Sequence, residues 1–252
     1  MGQRTAVISD LHSNIEAVEA VLKDIESQGI TDIICLGDLI GYGPDPRQVL
    51  KQAANWRFTL RGNHEDALLF LALDFNPDAA RAIEWTRDQL NDEEAEVSDN
   101  HKFWNFLGDL ADHKQEAGTL WLHASPRHYT KEYVRPGDIK DTAKMEEIFS
   151  MVEHRVFGGH THEPGVFTED MKFYPPRAFA NKMKLADGRK YFVNIGSVGQ
   201  PRDRDTRACY VVVQDSAIEF RRVEYDFKKT MEKIYPTDFI PKRFGDRLQH
   251  GR

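Results

Sequence analysis

The chain has little that would staple, anchor or charge it strongly. It holds only two cysteines, Cys35 and Cys209, no apolar run longer than seven residues, and no excess of positive charge. Two cysteines cannot make a disulfide framework, so a reducing cytoplasm is the expected address. The longest apolar run, residues 67–73, is far shorter than the roughly 20 residues of a membrane helix, which argues against a spanning segment. Residues 1–4 lead straight into a strand-like segment without the apolar stretch of a signal peptide. Lysine and arginine total 34 against 41 acidic residues, a net charge of −7, and this argues against a bulk electrostatic hold on nucleic acid. With 252 residues, 40% hydrophobic and 30% charged, the composition fits a soluble protein with a sizeable core. We expect a single domain over 1–252.

Apolar spacing sets the organisation. Residues 5–9 and 32–36 are short, apolar and β-branched, and read as buried strands. Between them Ile15, Val18, Val21, Leu22 and Ile25 recur at helical spacing, and Gly29 suits a helix stop. A glycine- and proline-punctuated loop, 41–46, precedes a short helix over 46–54 and a third strand over 56–60. This β-α-β-α-β order predicts a mostly parallel sheet with helices on its faces. Residues 65–118 change character: 14 acidic residues stand against 4 basic ones, and helices are expected over 66–73, 77–90 and 102–110. Its aromatics are expected to form the core of a helical insertion, with one wall on a substrate cleft. Strands follow at 119–123, 154–157, 165–168, 171–174, 191–195, 208–214 and 217–225, with a helix near 141–151. A helix near 226–235 and a polar tail to 252 close the chain, and the tail is given no role.

Five of these segments end in polar clusters: Asp10-Leu-His12, Gly37-Asp38, Gly62-Asn63-His64-Glu65, His123, and Gly158-Gly159-His160-Thr161-His162. Ligands of open α/β sheets bind outside the carboxyl ends of the strands, so these clusters are expected to converge. Asp10, His12, Asp38, Asn63, His123, His160 and His162 are hard or borderline donors without a thiolate, a set suited to manganese, iron or zinc. Seven donors are too many for one first-row ion and suit two that share a carboxylate. Two divalent ions, two carboxylates and a bridging hydroxide sum to +1, which attracts phosphate, and such a pair lowers the pKa of bound water.

In this order, Asp10-x-His12, Gly37-Asp38, Gly62-Asn63-His64-Glu65, His123 and Gly159-His160-x-His162 resemble the motifs of the calcineurin-like metallophosphoesterases. The segment 196–202, Gly-Ser-Val-Gly-Gln-Pro-Arg, resembles a turn of the family's small bacterial members. The resemblance implies a four-layer α/β/β/α sandwich carrying a helical insertion. It also implies two ions, one held by Asp10, His12, Asp38 and His162, the other by Asp38, Asn63, His123 and His160. It makes His64 the group that protonates the leaving alkoxide or donates to the phosphoryl oxygen.

The likeness has gaps. Where protein serine/threonine phosphatases of this superfamily carry an Asp-Arg pair, this chain has Gly41 and Tyr42. The phosphate-binding arginine and the carboxylate that orients His64 are both missing there. Tyr42, Arg61 and Arg202 are candidate substrate contacts, with Arg204 and Arg207 as further candidates. The expected activity is hydrolysis of a small phosphomonoester or phosphodiester, nucleotides included, by a metal-bridging hydroxide. A nuclease-type phosphodiesterase and a non-catalytic, metal-held nucleotide-binding protein are the alternatives. No membrane partner is expected.

Overall fold

The computed structural model describes residues 2–72, 75–94 and 97–252. Its strands are β1 (Arg4–Ile8), β2 (Asp32–Cys35), β3 (Phe58–Thr59), β4 (His113–Glu116), β5 (Thr119–Leu122), β6 (Arg155–Gly158), β7 (Gly165–Thr168), β8 (Lys172–Tyr174), β9 (Lys182–Lys184), β10 (Tyr191–Asn194), β11 (Ala208–Gln214) and β12 (Ala217–Val223). Its helices are α1 (Ile15–Ser27), α2 (Pro46–Ala53), α3 (Asn63–Leu69), α4 (Pro77–Leu90), α5 (Val97–Gly108), α6 (Thr142–Ser150), α7 (Phe227–Ile234) and α8 (Arg243–Leu248).

The strands form two six-stranded sheets, ordered β3-β2-β1-β11-β12-β9 and β4-β5-β6-β10-β7-β8. In the first, β1, β2 and β3 are parallel and β11, β12 and β9 continue antiparallel. In the second, β5, β6 and β10 form the parallel centre. Strand alternation sorts the core into layers. Val7, Ile34 and Val211 of the first sheet share a cluster with Trp121, Phe157 and Val193 of the second, so this layer lies between the sheets. Ala6, Ile8, Cys35, Tyr210 and Val212 face the other way and meet Val18, Val21 and Ile25 of α1 and Val49 and Leu50 of α2. Leu120, Leu122, Val156 and Phe192 meet Met145, Ile148 and Phe149 of α6 on the far side of the second sheet. The result is the α/β/β/α sandwich with its helical insertion. Each fully buried Ile, Leu or Phe contributes about 1.5–3 kcal/mol relative to exposure.

Local chemistry explains the element ends. Asn14 caps α1 by accepting from Ala17 N at 3.2 Å. Pro46 opens α2, where its missing N–H costs nothing. Asn76 and Asp141 cap α4 and α6 in the same manner as Asn14.

Several expectations shift. The third strand shrinks from 56–60 to Phe58–Thr59, followed by a single parallel bridge from Leu60 to Ala111. The helix expected over 66–73 begins earlier, at Asn63, and ends at Leu69; residue 73 of that range lies outside the described residues. The helix expected over 102–110 starts at Val97. The stretch before residue 118 is not helical throughout, because His113–Glu116 pairs with β5 as an edge strand. β9 and α8 were not expected at all. Both are short and rich in charge, so their apolar signal is one or two residues. In α8 that signal is Phe244 and Leu248, 1% and 4% exposed, and they pack with Ala82, Ile234 and Ile240. The polar tail is thus partly a structural element. The aromatics of 65–118 also divide: Phe103 is buried in the core, whereas Phe70 is 65% exposed.

Candidate metal centre and active site

The polar clusters meet at the carboxyl ends of β1, β2, β5 and β6, beside the start of α3. Their loops are laced together. Asp10 N donates to Gly37 O at 3.0 Å, and Leu11 N and His12 N both donate to Asp38 O, at 2.8 and 3.0 Å. Gly159 N donates to His123 O at 2.8 Å. His64 N donates to Asp38 Oδ1 at 2.9 Å, and His160 N to Asp10 Oδ2 at 3.1 Å. A Cβ at Gly159 would collide with the Asp10 carboxylate, so the glycine permits this close approach.

The backbone here is held in left-handed conformations. Asp10, His12, Asp38, His160 and His162 have φ of 55°, 47°, 53°, 64° and 61°. Such residues cost about 1–3 kcal/mol each and persist only where the surroundings fix them. The segment 196–202 supplies part of that fixing. Val198 N donates to Ser9 O at 3.0 Å, Gly199 N to Asp10 O at 2.8 Å, and Ser197 Oγ to Asp10 O at 2.9 Å. Arg202 N donates to His162 O at 3.2 Å. Asn14 joins in by donating from Nδ2 to Gly199 O at 2.8 Å.

All seven candidate donors come together. His162 Nε2 lies 3.1 Å from Asp10 Oδ1 and 3.1 Å from His12 Nε2. His123 Nε2 lies 3.3 Å from Asp38 Oδ2, 3.2 Å from Asn63 Oδ1 and 3.2 Å from His160 Nδ1. His12 Nε2 is 3.8 Å from Asp38 Oδ2, so Asp38 stands between the two groups. The outer ring nitrogens settle the tautomers. His12 Nδ1 faces Ile40 O at 3.2 Å, His123 Nδ1 faces Leu36 O at 3.1 Å, and His162 Nδ1 faces Gln200 O at 2.5 Å. His160 is reversed, with Nε2 facing Lys131 O at 3.0 Å. A nitrogen facing a carbonyl carries the hydrogen and donates it. While the rings are neutral the four inward nitrogens are acceptors, paired lone pair to lone pair at 3.1 and 3.2 Å, and a proton on His123 relieves only the His123–His160 pair.

That arrangement is unfavourable without positive charge between the rings. Two donors at right angles on an ion about 2.1 Å away are about 3.0 Å apart, close to these separations. Asp10 and Asp38, 0% and 1% exposed, add two buried carboxylates that need a positive partner. Burial opposes a charge on His123, yet Asp38 overcomes it and lifts that imidazole to about 9. Burial pushes His64 down to about 4 and His160 to about 3. One proton thus meets one part of the demand, and divalent cations fit all of it. Asp10, His12 and His162 form one group that could hold an ion, Asp38, His123 and His160 another, and His12, Asp38 and His64 a third that shares residues with both.

His64 sits beside these groups, with Nε2 3.9 Å from Asp38 Oδ2. Its Nδ1 is buried without a hydrogen-bond partner. Gly41 packs directly against that nitrogen, where a Cβ would collide with it. Rings hold His64 instead: His12 at 4.6 Å, Tyr42 at 4.4 Å and Phe75 at 5.0 Å between centroids. Tyr42, at φ 63°, also packs on His12 at 4.6 Å and on Phe244 of α8 at 4.6 Å. Arg202 reaches the same side, its Cζ 5.9 Å from the Tyr42 ring centre and its Nη2 2.9 Å from Gln200 Oε1. Its charge bears on His162 and His64. Arg61 is engaged elsewhere, with Nε 2.7 Å from Asp66 Oδ1. Arg207 is paired with Asp205 at 2.7 Å.

Glu65 is a positioning residue that its place in the third motif did not disclose. It is fully buried, and its Oε2 accepts from Asp38 N and Gly62 N at 2.9 Å each. Its Oε1 accepts from Leu39 N at 2.8 Å and Ile40 N at 3.3 Å. Burial and the nearby Asp38 carboxylate push the Glu65 carboxyl up to about 7. Four N–H groups aimed at it favour the carboxylate.

With this geometry in place, comparison with known proteins is decisive. Residues 4–216 match the calcineurin-like phosphoesterase superfamily domain. The chain belongs to that superfamily. A metallophosphoesterase from Sphaerobacter thermophilus is similar over 100% of both chains, with a TM-score of 0.82 and 30% identity. An uncharacterized protein of Methanocaldococcus jannaschii is 37% identical over 98% of each chain. A hypothetical protein of Pyrococcus horikoshii, 20% identical, shares the fold over 99% of this chain and 98% of its own, with a TM-score of 0.77. Calcineurin-like phosphoesterases are typically metal-dependent, in keeping with the His/Asp groups found here. The superfamily match ends at residue 216, before β12, α7 and α8, whereas the Methanocaldococcus jannaschii and Sphaerobacter thermophilus proteins match 98% and 100% of the chain.

Proposed function

We propose that the chain is a dinuclear-metal phosphoesterase acting on small phosphomonoesters or phosphodiesters. The observation that carries this is two pairs of inward-facing imidazole nitrogens, His12 with His162 and His123 with His160, set around two buried carboxylates. Asp10, His12, Asp38 and His162 would hold one ion, and Asp38, Asn63, His123 and His160 the other, with Asp38 shared. Manganese, iron and zinc all suit this donor set. When bound, such a pair supplies a nucleophile from water at neutral pH and neutralises phosphoryl charge.

The chain's own residues do the rest. His64, kept neutral by its burial, presents Nε2–H as a hydrogen-bond donor to the phosphoryl or departing oxygen, and its cage of rings fixes the imidazole in place of a carboxylate partner. Arg202 and the Tyr42 hydroxyl orient the phosphoryl group on the His12 and His162 side. The backbone carbonyls that fix the imidazole tautomers keep the donors aligned. The −7 net charge favours a small substrate over an extended polyanion.

The test is elemental analysis of the purified protein together with hydrolysis of a nitrophenyl phosphate ester in manganese. Two equivalents of metal per chain and metal-dependent turnover are expected. His64→Asn should keep the metal and lose at least about a hundredfold in turnover, whereas Asp38→Asn should lose metal. Full activity in chelated Asp38→Asn protein would overturn the reading.

A further inference from the structure

A cavity of about 460 Å³ opens onto the centre beside Asn63 and His160, and Arg202 is not among the residues that line it. Asn63 and His160, both in the second donor group, form its inner end. Phe70, Leu71, Phe75 and Tyr133 form most of its walls, with Asp66, Ala67 and Lys131 between them. The size is that of a small-ligand site, and its aromatic and aliphatic side chains are of no use to a phosphoryl group. They suit whatever the phosphoryl group is attached to. Phe75 also abuts His64, so the cavity begins beside the group that would donate a hydrogen bond to the reacting phosphate.

The walls have a definite chemistry. Phe70 is 65% exposed, so its ring is open to a ligand. The Arg61 guanidinium lies 5.9 Å from its ring centre, and Arg61 is in turn fixed by Asp66. Asp66 also accepts from Thr130 Oγ1 at 2.6 Å, so the one acidic side chain in the wall is already balanced. Phe70 is therefore a cation-backed aromatic surface. Tyr133 differs: His160 stacks on its ring at 4.1 Å, and the Arg135 Cζ lies 4.6 Å from its centre. It therefore meets the cavity with its edge and hydroxyl. An aromatic surface on one side and a polar-edged ring on the other match a planar, hydrogen-bonding heterocycle better than an alkyl chain.

We infer that this cavity binds the base of a nucleoside phosphate, with Phe70 as the stacking surface. The inference rests on the proposed phosphoesterase reading and names its substrate class. It also gives Arg61, a candidate phosphate contact by sequence, a different duty: it supports the ring on which the base lies.

AMP and ribose 5-phosphate present the same primary phosphate ester and differ by the base alone. Equilibrium binding of each to the metal-loaded chain and kcat/KM for each should favour AMP at least about tenfold, equal to about 1.4 kcal/mol. Phe70→Ala should collapse that ratio to within about twofold of unity, and Phe70→Trp should retain it. Because Phe70 is largely exposed, neither replacement removes core packing, and urea midpoints matching wild type would document this. Equal binding and equal kcat/KM for the two esters would overturn the cavity assignment while leaving the phosphoesterase intact. So would an AMP preference that survives Phe70→Ala. Tighter, Phe70-dependent binding of AMP, with no metal-dependent hydrolysis of either ester or of a bis(nitrophenyl) phosphate diester, would support the cavity and refute the phosphoesterase reading.

Discussion

Replacing Glu65 by glutamine changes one oxygen to an NH₂ group and tests how the bridging loop is held. Four backbone N–H groups, from Asp38, Leu39, Ile40 and Gly62, converge on this carboxylate, two on each oxygen. Whichever way the amide turns, its NH₂ faces two N–H donors, and two bonds become donor–donor contacts. Each buried donor left unsatisfied costs about 1–3 kcal/mol, so the loss is about 2–6 kcal/mol. That is a large share of the 5–15 kcal/mol typical of a folded domain. The assay is urea unfolding in a chelator, which removes metal binding as a contribution. With a slope of about 3 kcal/mol/M the midpoint should fall by about 0.7–2 M. Because Glu65 fixes the Asp38 backbone, the variant should also bind metal more weakly. A midpoint within about 0.2 M of wild type, with metal binding intact, would refute the argument that Glu65 builds this loop.

Two further outcomes are expected. Arg202→Ala should raise KM for a phosphate monoester about tenfold or more, with kcat changed less, because it removes a charge that meets the anion in ground state and transition state alike; steady-state kinetics with unchanged metal content check this. Far from the centre, Asp24 accepts from Arg221 Nε and Nη2 at 2.9 and 3.0 Å and from Tyr210 Oη at 2.6 Å. Against burial, these partners hold its carboxyl below the ordinary 3.8. A lowered carboxylate stabilises the fold above the unfolded value and ceases to do so as pH falls through the folded one. Asp24→Asn should therefore lower the melting temperature at pH 7 in chelator, and the gap should close below about pH 4. A gap that stays constant down to pH 3 would contradict it.

The donors were legible because each strand end carries its own short polar motif, and sheet topology brings strand ends together regardless of sequence distance. Asp10 and His162 lie 152 positions apart yet approach to 3.1 Å. The absence of a carboxylate for His64 was also visible, since Gly41 stands in that place. What fills the gap was not visible, because rings from the 41–46 loop and from Phe75 meet only after folding. The left-handed backbone at five of these residues is not readable from local sequence, because long-range hydrogen bonds help to fix it: the segment 196–202 holds Asp10 and His162, and Asp38 O accepts from Leu11 N and His12 N. The role of Glu65 was hidden similarly, since a motif glutamate reads as a helix-start residue until the loop at 38–40 folds over it. Arg61 and Arg202 looked equivalent as sequence; Asp66 occupies one, and Tyr42 with Gln200 neighbours the other. Edge strands β4 and β9 and helix α8 are too short for periodicity to announce.

Anomalous diffraction from crystals of the manganese-loaded protein tests the central claim most directly. The account predicts two peaks about 3.5–4 Å apart, one contacting Asp10, His12 and His162, the other Asn63, His123 and His160, with Asp38 reaching both. A single peak, or peaks bound by other side chains, would contradict it.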